Sequence, residues 1–93
     1  MPKITTSKGK TYNIDYVYLN DVNHTLRVSM HTEKRFPELS EDFDGCDTLT
    51  YENGEAVRIT YTGYTLLTFI SRFNNTVSLT LEMEADDGNT GGT

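Results

Sequence analysis

The residues with the clearest capacity for chemistry lie together in Asp42-Phe43-Asp44-Gly45-Cys46-Asp47, where three carboxylates and one thiol surround a glycine. Hard cations such as calcium take several oxygen ligands from a tight turn, so this run is a candidate cation loop. Its spacing departs from the EF-hand pattern: the glycine directly follows the second aspartate, and no glutamate stands at the twelfth position. The expectation for the segment is a helix terminus with solvated acids.

His24, His31 and Cys46 are zinc donors by type, yet they stand singly, without C-x2-C or H-x3-H pairing. His24 falls in an expected turn and His31 at a strand end, so both read as surface residues. Cys46 could be a nucleophile with either histidine as base, but no motif around it supports that geometry, and a buried small hydrophobe is its usual role. Asp15, Glu33 and Asp47 could line the mouth of a small ligand-binding barrel, and a charge-rich surface also supplies such carboxylates by chance. No glycine-rich phosphate loop, G-x-S-x-G elbow or H-E-x-x-H motif occurs. The expectation is a protein that is not an enzyme and that carries no cofactor or metal.

Charge and length narrow the classes further. The chain has 93 residues and a formal charge of -6, from 8 Lys and Arg against 14 Asp and Glu, which opposes the counterion release that drives binding to nucleic acid. No apolar stretch is long enough to span a bilayer, and the first residues lack the apolar core of a signal peptide, so a host cytoplasm is the expected location. A single cysteine leaves no internal disulfide, and the fold must be held by packing.

Alternation supplies most of the expected elements. Ile4–Thr6 reads as a short strand that turns at Ser7-Lys8-Gly9-Lys10 into a longer one, Thr11–Leu19, whose Tyr12, Ile14, Tyr16 and Tyr18 share one face. Tyr12, Tyr16 and Tyr18 form a tyrosine stripe without interleaved lysine or arginine, which suits core packing or a protein-facing patch better than base stacking. Tyr64 joins these three as a candidate interface residue. Asn20-Asp21-Val22-Asn23 is a turn by composition, followed by a strand with Leu26, Val28 and Met30 on its buried face. Pro37 opens a short helix to Phe43 that buries Leu39 and Phe43, with Phe36 close behind, and Asp44-Gly45 stops it.

The second half of the chain reads as a meander. Thr48–Tyr51 and Ala56–Tyr61 flank Asn53-Gly54, a type I′ turn signal. Tyr64–Phe73 is apolar on both faces, as expected of a central strand or barrel wall. After the Asn74-Asn75 turn, Val77, Leu79, Leu81 and Met83 point inward while Ser78, Thr80, Glu82 and Glu84 point out. The expected fold is all-β and mainly antiparallel, a small barrel or sandwich of about six or seven strands with one short helix near residues 37–43. Residues 1–84 would form this single domain and 85–93 a mobile polar tail, and no internal repeat is visible.

Leu39-Ser40, Phe43-x-Gly45-Cys46, Tyr61-x-Gly63-Tyr64-Thr65-x-Leu67-x-Phe69-Ile70-x-Arg72 and Val77-x-Leu79-x-Leu81-Glu82 together resemble small uncharacterised β-rich proteins encoded in phages and prophages of Gram-positive bacteria. The resemblance implies a genomic setting beside virion or tail genes and brings no catalytic residues. It also implies a structural or assembly protein, such as a tail or head–tail component, with itself or other virion proteins as partners. The virion is then a second expected location. An acidic host-directed effector, with carboxylates gathered on one face, is a further alternative.

Overall fold

The computed structural model describes residues Pro2–Met83; the expected tail, and Glu84 before it, lie outside the described residues. The described chain runs β1 (Pro2–Thr6), β2 (Thr11–Asn13), β3 (Tyr16–Asn20), β4 (Thr25–His31), α1 (Phe36–Phe43), β5 (Thr48–Asn53), β6 (Val57–Thr62), β7 (Leu66–Phe73) and β8 (Thr76–Glu82). Two four-stranded antiparallel sheets result, ordered β2-β1-β5-β6 and β3-β4-β8-β7. The fold is thus an all-β sandwich rather than a barrel, with eight strands among the described residues where six or seven were expected. Ile4, Leu49, Leu26, Val28, Met30, Val77, Leu79 and Leu81 fill the space between the sheets, and Leu39 and Phe43 of α1 join the same core.

The expected strand Thr11–Leu19 is two strands in two sheets. Ile14 N–H donates to Pro2 O (3.0 Å), still in the first sheet, whereas Asp15 N–H donates to Ser29 O (2.7 Å) in the second. The crossing resets the alternation. Tyr12 and Ile14 face inward before it, and Val17 and Leu19 pack on the core after it, which turns Tyr16 and Tyr18 outward. A period of two counted through the crossing therefore joins side chains that belong to opposite faces.

A second correction concerns β7. It lies at a sheet edge, not at the centre, and its register against β8 slips between Leu67 and Phe69. The extra residue of such a bulge inverts the alternation. Thr68 takes the bulge position, its hydroxyl donating to Thr80 O and to Glu82 Oε2 at 3.4 Å each. Leu67 and Ile70 pack on the core, and Leu66, Phe69 and Phe73 are left exposed on the other side.

The turns divide their roles differently from the sequence signals. Asn74 and Asn75 both take positive φ (51° and 63°) in a two-residue loop between paired Phe73 and Thr76, as a type I′ turn requires. At the other hairpin Asn53 pairs with Val57, so the loop is Gly54-Glu55-Ala56 and positive φ falls on Gly54 alone. Asn20 Oδ1 accepts from the Val22 and Asn23 N–H groups (3.0 and 3.1 Å), the Asx arrangement expected there. At α1, Glu38 Oε1 accepts from Arg35 N–H at 3.1 Å and caps the helix start. Phe36, expected to pack behind Leu39, is exposed.

The topology contains a repeat invisible in the residues. Each half places a hairpin in the first sheet, crosses an edge, and places a hairpin in the second: β1-β2 then β3-β4, and β5-β6 then β7-β8. The central pairs β1–β5 and β4–β8 are antiparallel, so the halves are related by an approximate two-fold axis through the sandwich. Matching bonds close each crossing, Ile14 N–H to Pro2 O and Gly63 N–H to Asp47 O. Matching threonine pairs, Thr5–Thr11 and Thr50–Thr60, join their hydroxyls at 3.0 and 3.3 Å. Thr5 pairs with Thr50, so the axis passes through that pair.

Candidate functional site on the outer face of one sheet

The acidic loop does not converge on a centre. Asp42 is buried and accepts a hydrogen bond from the Tyr12 hydroxyl. Asp44 Oδ1 accepts from the Leu67 N–H (3.0 Å), and the Asp47 N–H donates to Ser7 Oγ (3.0 Å). Cys46 is buried and its thiol donates to Asp42 O at 3.2 Å. No group of three or more His, Cys, Asp or Glu side chains comes together among the described residues in a way that could hold a metal ion. His24 and His31 stand at opposite ends of β4, about 23 Å apart along a seven-residue strand. His31 Nδ1 lies 2.9 Å from Asp15 Oδ2 in an exposed pair, and no pocket is present among the described residues.

Tyr12, Asp42 and Lys34 form the best-connected polar group. The Tyr12 ring packs on Phe43 (centroids 5.1 Å apart), and Lys34 Nζ donates to its hydroxyl (3.1 Å) and lies 3.7 Å from Asp42 Oδ2. Burial, and then the bond to Asp42, push the Tyr12 hydroxyl above the usual tyrosine range, against the opposing pull of Lys34. The bond to the Tyr12 hydroxyl raises Lys34 in turn. Tyr61 is also raised, chiefly by burial. Tyr12 therefore ties α1 to the first sheet, and Tyr64 is buried in the core against Tyr61.

The two remaining candidate tyrosines, Tyr16 and Tyr18, stand on the outer face of the second sheet. Cross-strand register places Tyr16, Ser29, Ser78 and Ser71 in one row and Tyr18, Arg27, Thr80 and Phe69 in the next. His31, Thr76 and Phe73 continue the face on one side, and Asn20, Thr25, Glu82 and Leu66 on the other. Strands lie about 4.8 Å apart, so the rings of β3 and β7 flank a floor of small hydroxyl residues about 14 Å across. Tyr16 is 49% exposed, Tyr18 58%, Phe69 56% and Phe73 76%. The outer side of β8, where Ser78, Thr80 and Glu82 point out as expected, is the half-buried floor of this face. The other sheet's outer face carries mainly threonines with Lys3, Glu52 and Arg58.

Sequence reasoning finds Tyr16 and Tyr18 but misses Phe69 and Phe73, because the bulge that exposes them leaves no mark on composition. One signal was present: Leu66 to Ile70 is apolar at both parities, and an edge strand can bury only one. Comparisons with family models, with curated proteins and with solved structures find no match to the chain. No helix among the described residues is long and apolar enough to cross a membrane.

Proposed function

We propose that the chain is a structural or assembly module of a phage or prophage particle that works by protein contact through the outer face of its second sheet. The observation that carries this reading is the placement of Tyr16, Tyr18, Phe69 and Phe73 on one open face, around Arg27 and small hydroxyl residues. Tyr, Phe and Arg are the side chains enriched where proteins meet, since they combine large contact area with polar ends. An acidic chain with Arg27 central to this face suits a protein partner better than a phosphate backbone. The first sheet's outer face carries Glu52, and the second carries Glu82 with Asp15 paired to His31 at its rim, so carboxylates are not gathered on either face and an acidic nucleic-acid mimic has little support.

The test is co-purification with the proteins encoded beside it, followed by light scattering of the complexes. Capture of a neighbouring gene product, lost in a Tyr18→Ser, Phe69→Ser double variant whose circular dichroism is unchanged, is the expected result. A chain that captures none of those proteins, or whose capture survives the double substitution, overturns the reading.

A further inference from the structure

The open edge of β6 points to a second copy of this chain. Gly63 N–H donates to Asp47 O at 3.1 Å, which fixes the phase of the β5–β6 ladder. The bonded pairs are then Gly63–Asp47, Tyr61–Leu49, Ile59–Tyr51 and Val57–Asn53. Arg58, Thr60 and Thr62 must direct both N–H and C=O away from the sheet, and β6 is an outermost strand with no further strand paired to it among the described residues. The edge has no proline and no bulge within Val57–Thr62. Native sheets usually protect such an edge.

The other three edges are shorter or covered. β2 has three residues, and β3 turns out the backbone of Val17 and Leu19 alone. At β7 the loop after α1 occupies the near end, where Asp44 Oδ1 takes the Leu67 N–H (3.0 Å) and Gly45 N–H donates to Thr65 O (2.6 Å). β6 is also where apolar side chains on the core-facing side remain uncovered, with Val57 38% and Ile59 44% exposed.

We infer that β6 pairs antiparallel with β6 of a second copy about a two-fold axis at Thr60, joining two four-stranded sheets into one of eight strands. The free groups themselves select this register. Centred on Thr60, the ladder sets Thr60 against the second copy's Thr60 and Arg58 against its Thr62, using every outward group of Arg58, Thr60 and Thr62 in both copies. Centred on Arg58, it would oppose like charges and leave Thr62 unpaired. The Thr60 register also sets Ile59 against the second copy's Tyr61, covering the exposed inner side chains. The row Thr11, Thr5, Thr50, Thr60 continues across the axis into its own image. Although the chain carries -6 overall, β6 holds one arginine and no carboxylate, so two copies meet there without local repulsion between acids. The inference deepens the reading of the chain as a protein-contact module by naming one partner, and it uses a surface separate from the aromatic face.

Native mass spectrometry and sedimentation across a concentration series test it on the intact chain. The expected result is a dimer that Thr60→Pro converts to monomer with an unchanged circular dichroism spectrum, because that N–H makes no bond to β5 and proline is tolerated on such an edge. Thr60→Cys should cross-link to its own copy under mild oxidation, whereas Arg58→Cys and Thr62→Cys should cross-link when mixed and not alone. Cys46 is buried and does not compete. A monomer at every concentration, a dimer that survives Thr60→Pro, or equal cross-linking at all three positions overturns the inference. A monomer that still captures neighbouring gene products defeats this inference alone, and a dimer that captures none defeats the assembly reading alone.

Discussion

Replacing Tyr12 by phenylalanine removes one oxygen and leaves the ring in place, which isolates the bond that joins α1 to the first sheet. In the native chain the hydroxyl donates to the buried Asp42 carboxylate and accepts from Lys34 Nζ at 3.1 Å, while the ring packs on Phe43. Hydrogen bonds to a charged partner contribute about 1.5–3 kcal/mol, and the half-exposed position of Tyr12 places this one toward the lower end, about 1.5–2 kcal/mol. For a domain of this size that lowers the melting temperature by about 6–16 °C. Urea unfolding followed by far-ultraviolet circular dichroism measures the loss directly, with the slope unchanged. Asp42→Ala and the double variant complete a thermodynamic cycle, and the two substitutions should couple by about 1 kcal/mol or more. If Tyr12→Phe lies within about 0.5 kcal/mol of wild type, or the two losses simply add, the hydroxyl does not hold the helix and the reasoning fails. Oligomeric state should not change, since Tyr12 faces the core.

Stability should also decline in alkali. Tyr12 and Tyr61 hold their protons above the ordinary tyrosine value of 10.0, so the unfolded chain releases them first. Their contribution is complete below pH 10 and is lost as pH rises through the folded values; a pH series of urea midpoints should show the fall, shallower in Tyr12→Phe. Phe43→Ala, which empties a fully buried site, should cost about 3–5 kcal/mol by the same denaturation assay. Gly63 has φ of 93°, so Gly63→Ala should cost about 1–2 kcal/mol from backbone strain, although the added methyl meets nothing closer than Met83 Cε at 3.6 Å.

Local signals carried the reading wherever one strand obeyed one alternation. Val77, Leu79 and Leu81 are buried and Ser78, Thr80 and Glu82 face out, as the period of two requires. Leu39 and Phe43 likewise fall four residues apart on the buried side of α1. The failures share one cause. At Ile14-Asp15 the chain changes sheets, and at Thr68 it bulges; both shift the phase of the alternation without an interruption in residue type. Tyr16 and Tyr18 were therefore grouped on one face with Tyr12 and Ile14, which point the other way, and Phe69 and Phe73, half of the candidate face, stayed hidden. The two-fold repeat was hidden for a different reason: equivalent positions such as Tyr18 and Ser71, or Asn20 and Phe73, hold unlike residues.

That repeat also constrains the order of folding. β1 and β4 obtain their central neighbours, β5 and β8, only from the second half of the chain. A nascent N-terminal half emerging from a ribosome can close its two hairpins, yet it exposes Ile4, Leu26, Val28 and Met30 and one open side of both sheets until β5 and β8 have emerged. Contacts so distant in sequence fold slowly, within milliseconds to seconds for all-β sandwiches. During that interval the missing half can come from another chain, because a repeat about a two-fold axis accepts an equivalent hairpin pair from either source. Many chains made together at high concentration are thus offered exchange of halves as a competing end point, with the residues between His31 and Thr48 as the hinge.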